Sequence, residues 1–289
     1  RPALSGESYM SFSLSRRDFL AWSAMAASAC VAVAQDDAGA ALPFTDLHVH
    51  LDNSTIDDVV RLSEERNVKF GIVEHAGTKE NLYPVVLSND TELEAYLAML
   101  DGKPVYKGVQ AEWIDWMDCF SRDTLARLDY VLTDMMTWPG IGGKRQKMWE
   151  PDLDIGDPAT FMDRYVDWYV ENMERMPIDI LANVSWLPES FAADYDRLWT
   201  EARVGRVVEA AVKHGIAIEI SSGFNLPKRP WLEQAKAAGL KFSFGSNGRY
   251  PKMGLLDYSL NMARDLGLTE ADLFTPAPDG QKAVQRRMV

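Results

Sequence analysis

The sequence contains little cysteine, little histidine and no long hydrophobic run. Two Cys and four His occur in 289 residues. Acidic residues outnumber basic ones by 43 to 30, which gives a formal charge of -13 at pH 7. An acidic chain without a Lys/Arg cluster beyond its N-terminal region argues against a nucleic-acid partner. The longest weakly apolar stretch is too short for a permanent membrane span.

The remaining composition is that of an ordinary globular protein. Hydrophobic residues make up 47% of the chain and charged residues 25%, and the length suits a single α/β barrel. Nine Trp and an aromatic content of 10% are enough to line a cleft. Core packing explains the same count equally well.

The N-terminal region resembles an export signal. Arg16 and Arg17 lie in the run SRRDFL, and a short apolar segment follows them and ends in the small residues AVA. This pattern predicts a twin-arginine signal peptide over residues 1–34 and a mature start near Gln35. The protein would use the twin-arginine export machinery and be periplasmic or extracellular. A lipid anchor on Cys30 is the alternative.

Removal of that signal leaves a single Cys. Cys119 is then the one thiol of the mature chain, so no intramolecular disulfide can form even in an oxidising compartment. Export in the folded state suits a metalloprotein, because the cytosol can then select the metal by its availability.

From residue 43 onward, short β-rich runs alternate with amphipathic helical patterns. The helices are predicted at 55–65, 91–100, 121–127, 158–175, 200–214, 231–238 and 254–266, with Asn53, Ser54 and Asp157 as N-caps and glycines past three helix ends. Strands are predicted at 44–50, 69–74, 105–112, 130–134, 178–183, 217–221 and 241–245. Such alternation predicts a parallel sheet that closes into a barrel. The long irregular insertion at 137–157 is typical of a lid or binding loop.

The first predicted strand carries an unusual polar pattern. Because side chains alternate between the faces of a strand, Asp46, His48 and His50 point the same way. Neutral imidazole is the commonest side-chain ligand for a divalent metal, so this face suits a metal site. The alternative is a surface strand with two solvated His. The apolar residues between them favour a buried strand.

Every other predicted strand also ends in, or is followed by, a residue able to bind a metal or an oxyanion. The carboxyl ends of barrel strands converge on one mouth, where active sites form. We therefore expect these side chains to meet there. They are His75 and Glu112 after the second and third strands, Asp134 and Asn183 after the fourth and fifth, Glu219 in the sixth, and Asn247 and Arg249 after the seventh. His214 lies instead at a predicted helix end, where a structural role is expected.

The ordered series of motifs resembles the PHP (polymerase and histidinol phosphatase) family. The matching pieces are DLHVH, EH, GVQAE, LDYVL, DILA, IEI and FGS, in the family's order. The resemblance implies a distorted (β/α)7 TIM-like barrel over residues 43–276, followed by a C-terminal tail at 277–289. It also implies divalent metal ions at the barrel mouth and hydrolysis of phosphoesters. Its implied metal ligands are His48, His50, His75 and Glu112.

The chain departs from the family on the far side of the mouth. Where the family usually has His, this chain has Asp134 and Asn183, and its last motif carries Asn247 and Arg249 in place of an Asp and a His. A full three-metal site is therefore not expected, although Asp134 could serve as a carboxylate ligand. Arg249 could clamp a phosphate or carboxylate, or it could pair with an acid such as Glu219.

Three functions remain open from the sequence. The first is an exported hydrolase that uses one or two Mn, Fe or Zn ions on a small polar or phosphorylated substrate, with Asp134 as base and Arg249 stabilising negative charge. The second is a catalytically lapsed barrel that binds a ligand or partner. The third is an amidohydrolase, which would need a mid-chain Lys or further His ligands. After His75, His214 is the one His left.

Overall fold

The structure is a computed structural model that describes residues 42, 44–140, 143–150, 153 and 155–287. The predicted signal peptide and the start at Gln35 lie outside these residues. Within them, strands and helices alternate along the chain as the sequence predicts.

Seven parallel strands form the frame of the described chain. They pair in the order β1-β2-β4-β5-β8-β9-β10, β3 adds to β2, and β6 pairs with β7 in a separate antiparallel hairpin. This order confirms the predicted TIM-like barrel. The strands are β1 (Thr45–Val49), β2 (Lys69–Ala76), β3 (Val86–Leu87), β4 (Tyr106–Ala111), β5 (Tyr130–Thr133), β6 (Thr137–Pro139), β7 (Arg145–Lys147), β8 (Ile180–Leu181), β9 (Ala217–Ser221) and β10 (Phe242–Gly245).

Helices cover the outside of this sheet and follow the predicted positions within a few residues. No helix within the described residues is long and apolar enough to cross a membrane. The helices are α1 (Ile56–Arg66), α2 (Asp90–Leu100), α3 (Arg122–Leu125), α4 (Pro158–Arg175), α5 (Glu189–Ala192), α6 (Tyr195–Leu198), α7 (Glu201–His214), α8 (Arg229–Ala237), α9 (Asp257–Asp265) and α10 (Ala283–Arg286).

The helix caps confirm one prediction and correct another. Asp157 caps α4 as predicted, with its side chain accepting from the Thr160 amide. At α1 the cap is Thr55, and the prediction of Asn53 or Ser54 was wrong. The Thr55 side chain accepts from the Asp58 amide, and the Asp58 carboxylate accepts from the Thr55 amide. Ser54 also lies three positions before an acid, but its hydroxyl donates to the Leu51 carbonyl at 2.6 Å instead.

The insertion at 137–157 is more regular than its sequence indicates. It contains the β6–β7 hairpin, whose Arg145 is largely buried. The Arg145 guanidinium donates to Thr78 Oγ1 at 2.6 Å, to Asn81 Oδ1 at 3.1 Å and to Asp115 Oδ2 at 2.6 Å. Because these partners lie in the loops after β2 and β4, one side chain fastens the hairpin over that part of the barrel.

The Tyr130 side chain fills the interior of the barrel at the amino-terminal end of the strands. Its ring is buried, and its hydroxyl donates to the Leu47 carbonyl at 2.7 Å. Gly71 and Gly108 leave the necessary room, because a Cβ on either would lie 2.3 or 2.6 Å from Tyr130 atoms. The barrel interior is thus packed with an aromatic side chain at its amino-terminal end, and the polar cluster of the predicted site lies at the carboxyl end.

A buried carboxylate joins the first strand to the last. Asp46 accepts from the Ser246 amide at 2.9 Å, from the Ser246 hydroxyl and from the Gly254 amide at 2.8 Å. The Gly248 backbone also bonds to His48 and His50. Asp46 therefore closes the barrel, and a metal bound to Asp46 would have to displace these donors. Its oxygens are used by donors some 200 positions away in the sequence.

The segment predicted as a C-terminal tail packs on the barrel as far as residue 287. It contains α10, whose Val284 is buried. Lys282 donates to the Ala126 carbonyl at 2.8 Å. Asp179, at the start of the neighbouring strand β8, accepts from the Val131 amide at 2.8 Å. These contacts cover the amino-terminal end of β5 and β8.

Replacement of Asp46 should strongly destabilise the fold. In Asp46→Asn an amide N–H faces the donors of Ser246 and Gly254, and each buried donor left unpaired costs about 1–3 kcal/mol. We expect a loss of roughly 3 kcal/mol in the free energy of unfolding, measured by urea denaturation. Asp57→Asn, which alters an exposed ion pair with Lys103, is the control. Equal stability of the two variants would contradict the role given to Asp46.

Candidate functional site at the barrel mouth

The predicted site residues come together at the carboxyl end of the strands. A cavity of about 500 Å³ opens there, and five of the predicted residues line it: His75, Asp134, Asn183, Asn247 and Arg249. The other four are buried and contact its lining or one another: His48, His50, Glu112 and Glu219. The convergence expected of parallel barrel strands is confirmed for all nine positions.

Five of the polar side chains form a closed ring of hydrogen bonds. His48 Nδ1 lies 2.7 Å from Glu219 Oε2, and His48 Nε2 lies 3.1 Å from Gln110 Oε1. Gln110 Nε2 and Asn183 Nδ2 both donate to Asp134 Oδ2, at 3.3 and 2.9 Å. The ring is closed by the backbone N–H of Asn183, which donates to Glu219 Oε1 at 3.3 Å. The ring satisfies buried groups contributed by five different strands or strand ends.

This ring determines the protonation of His48. Both of its nitrogens face oxygen acceptors, so both donate and the ring is an imidazolium. Burial lowers the pKa of His48, but the carboxylates of Glu219, Asp134 and Asp46 together outweigh that effect, and the pKa is raised overall. An imidazolium has no lone pair for a metal. His48 can therefore act as the predicted ligand only if it exchanges one of these hydrogen bonds.

His50 is in the opposite situation. It is fully buried, and neither of its ring nitrogens has a hydrogen-bond partner among the described residues. Its ring centroid lies 4.9 Å from that of His75 and 5.3 Å from that of His48. Burial lowers its pKa well below the ordinary value, and the neighbouring His residues add to the effect. His50 is thus a neutral imidazole with a lone pair available.

The His75 side chain contacts His50, Glu112 and Tyr83. Its Nδ1 lies 2.7 Å from Glu112 Oε1. The Tyr83 ring stacks on it with centroids 3.6 Å apart and nearly parallel planes. Burial lowers the pKa of His75 to about 3, so His75 is neutral near pH 7.

Three carboxyl groups near the mouth have raised pKa values. Burial raises the pKa of Glu112 to about 8, that of Glu74 to about 7 and that of Asp134 to about 6. Glu74 Oε1 accepts from the Leu51 amide at 2.9 Å, whereas Glu74 Oε2 is buried without a partner. Acids confined together resist ionisation unless a positive charge lies among them.

Arg249 forms an ion pair with Asp52, which was not among its predicted partners. Its Nε donates to Asp52 Oδ2 at 2.7 Å, and its Nη1 donates to the Asn247 carbonyl and side chain, each at 2.9 Å. Glu219 bonds to His48 instead, so the suggested pairing of Arg249 with Glu219 was wrong. Two fifths of the Arg249 side chain remains exposed, and it lines the cavity.

The residues fit a divalent metal in their chemistry but pair with one another in this structure. Within the described part of the chain, no group of three or more His, Cys, Asp or Glu stands in an arrangement that could hold a metal. His50 nevertheless presents two buried, unpaired ring nitrogens beside His75. Nitrogen and carboxylate donors of this kind suit Zn, Mn or Fe.

Several residues of the site were not predicted. Gln110 lies two positions before Glu112 on β4, so the alternation of side chains along a strand could have identified it. Glu74 was noted at the end of its strand but was not selected as a ligand. Tyr83 and Trp149 come from loops, where no periodic pattern exists to indicate which residue turns toward the mouth.

The comparisons with known proteins establish the fold. No family model and no curated protein sequence matches this chain. The structure is similar to that of histidinol phosphate phosphatase from Lactococcus lactis subsp. lactis, solved with zinc, L-histidinol and phosphate. The TM-score is 0.53 and the identity 14%, over 85% of this chain and 99% of that one. The likeness confirms the predicted PHP-type barrel.

Two weaker likenesses have TM-scores below 0.5 and do not bear on the fold. One is to a chain of archaeal ribonuclease P with mature tRNA, at 14% identity and a TM-score of 0.40, over 78% of this chain and 83% of that one. The other is to an HpcH/HpaI aldolase from Desulfitobacterium hafniense, at 10% identity and a TM-score of 0.35, over 82% of this chain and 96% of that one.

The raised pKa of Asp134 predicts a dependence of stability on pH. Its pKa of about 6 in the folded chain exceeds the ordinary 3.8, so the folded state binds this proton more tightly. Stability from this group is therefore present at low pH and is lost as pH rises through 4 to 6. In chelator, the free energy of unfolding should fall less between about pH 4.5 and about pH 8 for Asp134→Asn than for the parent, by about 2 kcal/mol. Identical pH profiles would contradict this assignment.

Proposed function

We propose that this chain is a metal-dependent phosphoester hydrolase whose site lies at the barrel mouth. The observation that carries the proposal is His50, which is fully buried with both ring nitrogens unpaired and lies beside His48 and His75. A buried imidazole without partners is costly unless a ligand occupies one nitrogen. The PHP-type barrel, shared with a phosphatase solved with zinc and phosphate, supports the same conclusion.

The residues that would hold the metal are His50, His75 and Glu112, with His48 joining them after release from Gln110. One or two Mn, Fe or Zn ions suit this donor set. When bound, such an ion would supply a water of lowered pKa and polarise a phosphoryl oxygen. These four residues are the ligands that the resemblance to the PHP family implies.

The residues on the other side of the mouth would handle the substrate. Arg249 is fixed by Asp52 and Asn247 and presents a permanent positive charge to the cavity, which suits a phosphate group. Asp134 has a pKa of about 6 and lines the same cavity, so it can accept a proton at neutral pH. Asn183 and Gln110 hold its carboxylate in place through their side-chain amides.

A second candidate function is ligand binding without catalysis. The specific observation in its favour is the closed ring of His48, Gln110, Asp134, Asn183 and Glu219, in which would-be ligands satisfy one another. A barrel that has replaced its metals by hydrogen bonds would keep the cavity and lose the chemistry. Metal content distinguishes the two candidates.

Removal of His50 should abolish metal binding. We expect the purified parent chain to carry about one equivalent or more of Mn, Fe or Zn, measured by elemental analysis, and His50→Ala to bind the metal at least about tenfold more weakly. His214→Ala is the matched control, because it removes a His at the end of α7, outside the site. Turnover of chromogenic phosphomonoesters and phosphodiesters should follow metal content.

Two results would contradict the proposal. The first is a parent chain with less than about half an equivalent of metal after growth in metal-supplemented medium. The second is a His50→Ala variant with unchanged metal content and activity. A metal-free parent that still binds phosphate would favour the second candidate.

We also propose that residues 1–34 direct twin-arginine export, which would make the mature protein periplasmic or extracellular. The proposal rests on the Arg16-Arg17 pair and the short apolar segment that follows it.

Replacement of both signal arginines by lysine should block this export. The double variant Arg16→Lys, Arg17→Lys keeps the charge and removes the two guanidinium groups, which lysine does not replace. We expect the precursor to accumulate inside the cell, as followed by fractionation and immunoblotting. The control is the double variant Arg122→Lys, Arg127→Lys, at exposed positions of the barrel. Equal export of the two variants would exclude the twin-arginine route.

A further inference from the structure

The outer part of the mouth cavity is lined by aromatic and apolar side chains. Beside its polar residues and Lys147, the lining contains seven apolar or aromatic side chains, among them Leu82, Tyr83, Trp149, Trp186 and Phe224. Several of these are unusually exposed for large apolar residues: Leu82 is 78% exposed, Trp149 42% and Phe224 36%. Exposed apolar surface that is concentrated around a cavity is typical of a ligand-binding site.

The rings are arranged as two pairs. Tyr83 and Trp149 lie 6.4 Å apart between centroids, and the Lys147 ammonium sits 4.3 Å from the first ring and 5.5 Å from the second. Lys147 also donates to the Leu82 carbonyl at 3.1 Å, so one cation fixes both rings. Trp186 and Phe224 form the second pair, with centroids 6.4 Å apart and planes at 67°.

Four separate loops contribute these rings. Tyr83 follows β2, Trp149 follows the β6–β7 hairpin, Trp186 follows β8 and Phe224 follows β9. Trp186 also packs against the core and Tyr83 stacks on His75, but Trp149 and Phe224 remain exposed at the cavity. A ligand that they contact best explains why these two rings turn toward the mouth.

On the basis of the phosphoester hydrolase proposed above, we infer that the substrate is an aryl phosphoester, a small molecule with a flat aromatic group attached to its phosphate. The phosphate end lies toward Arg249 and Asn247, and the aromatic group lies among the four rings described above. Aromatic rings favour stacked and edge-to-face contacts with one another beyond the area that they bury. A cavity of about 500 Å³ accommodates a molecule of that size.

Phosphonates test this inference independently of turnover, because they keep the anionic group and are not hydrolysed. On the metal-loaded full chain, phenylphosphonate should bind about fivefold to tenfold more tightly than cyclohexylphosphonate or methylphosphonate, as measured by calorimetry. Phe224→Ala and Trp186→Ala should each reduce that preference to about twofold or less. Phe44→Ala, an exposed Phe at the start of β1, should retain it.

The possible outcomes separate this inference from the function on which it rests. Equal binding of phenylphosphonate and cyclohexylphosphonate, with metal and turnover intact, overturns the aryl preference and leaves the hydrolase standing. A preference that survives in Phe224→Ala and Trp186→Ala also overturns it. A chain that binds neither metal nor any phosphonate overturns both proposals. Circular dichroism of each variant confirms that the barrel is folded.

Discussion

The structure depends on one constraint, which is that polar side chains buried at the barrel mouth must find partners there. Asp46 meets it by binding backbone donors beyond the last strand, and in doing so it closes the barrel. His48 and Glu219 meet it within the ring of hydrogen bonds. Because each unpaired buried group costs as much as a lost hydrogen bond or more, the same requirement governs the closure of the barrel and the arrangement of the site. We therefore expect a substitution at one of them to affect the other.

Polar groups with hydrogen-bond partners and buried polar groups without them lie on different sides of the mouth. On the side of β5, β8 and β9, Asp134, Asn183 and Glu219 bond to one another and to His48. On the side of β1 and β2, His50 and Glu74 keep buried atoms without partners. Asp134 and Asn183, two of the positions at which this chain departs from the PHP pattern, lie on the hydrogen-bonded side. The other two departures, Asn247 and Arg249, bond to each other, and Arg249 also bonds to Asp52 after β1.

Much of the fold was predictable because it is encoded locally. The seven strands and their helices follow from hydrophobic periodicity and from caps such as Asp157 and Gly215. The convergence of His48, His75 and Glu219 follows from the geometry of a parallel barrel. The role of Asp46 was not predictable, since its partners lie about 200 positions away. The aromatic rim was missed for a related reason, because loop conformations decide which way Tyr83 and Phe224 point.

The proposed chemistry needs a metal on one side of the cavity and a phosphate on the other, and the charges are arranged accordingly. Glu112 bonds to His75 beside the unpaired imidazole of His50, where a cation would allow Glu112 to ionise. Arg249 lines the same cavity and is oriented by Asp52, so its positive charge is available to an anion. Because a guanidinium stays protonated and has no lone pair for a metal, Arg249 can serve the proposed reaction only by holding an anionic group.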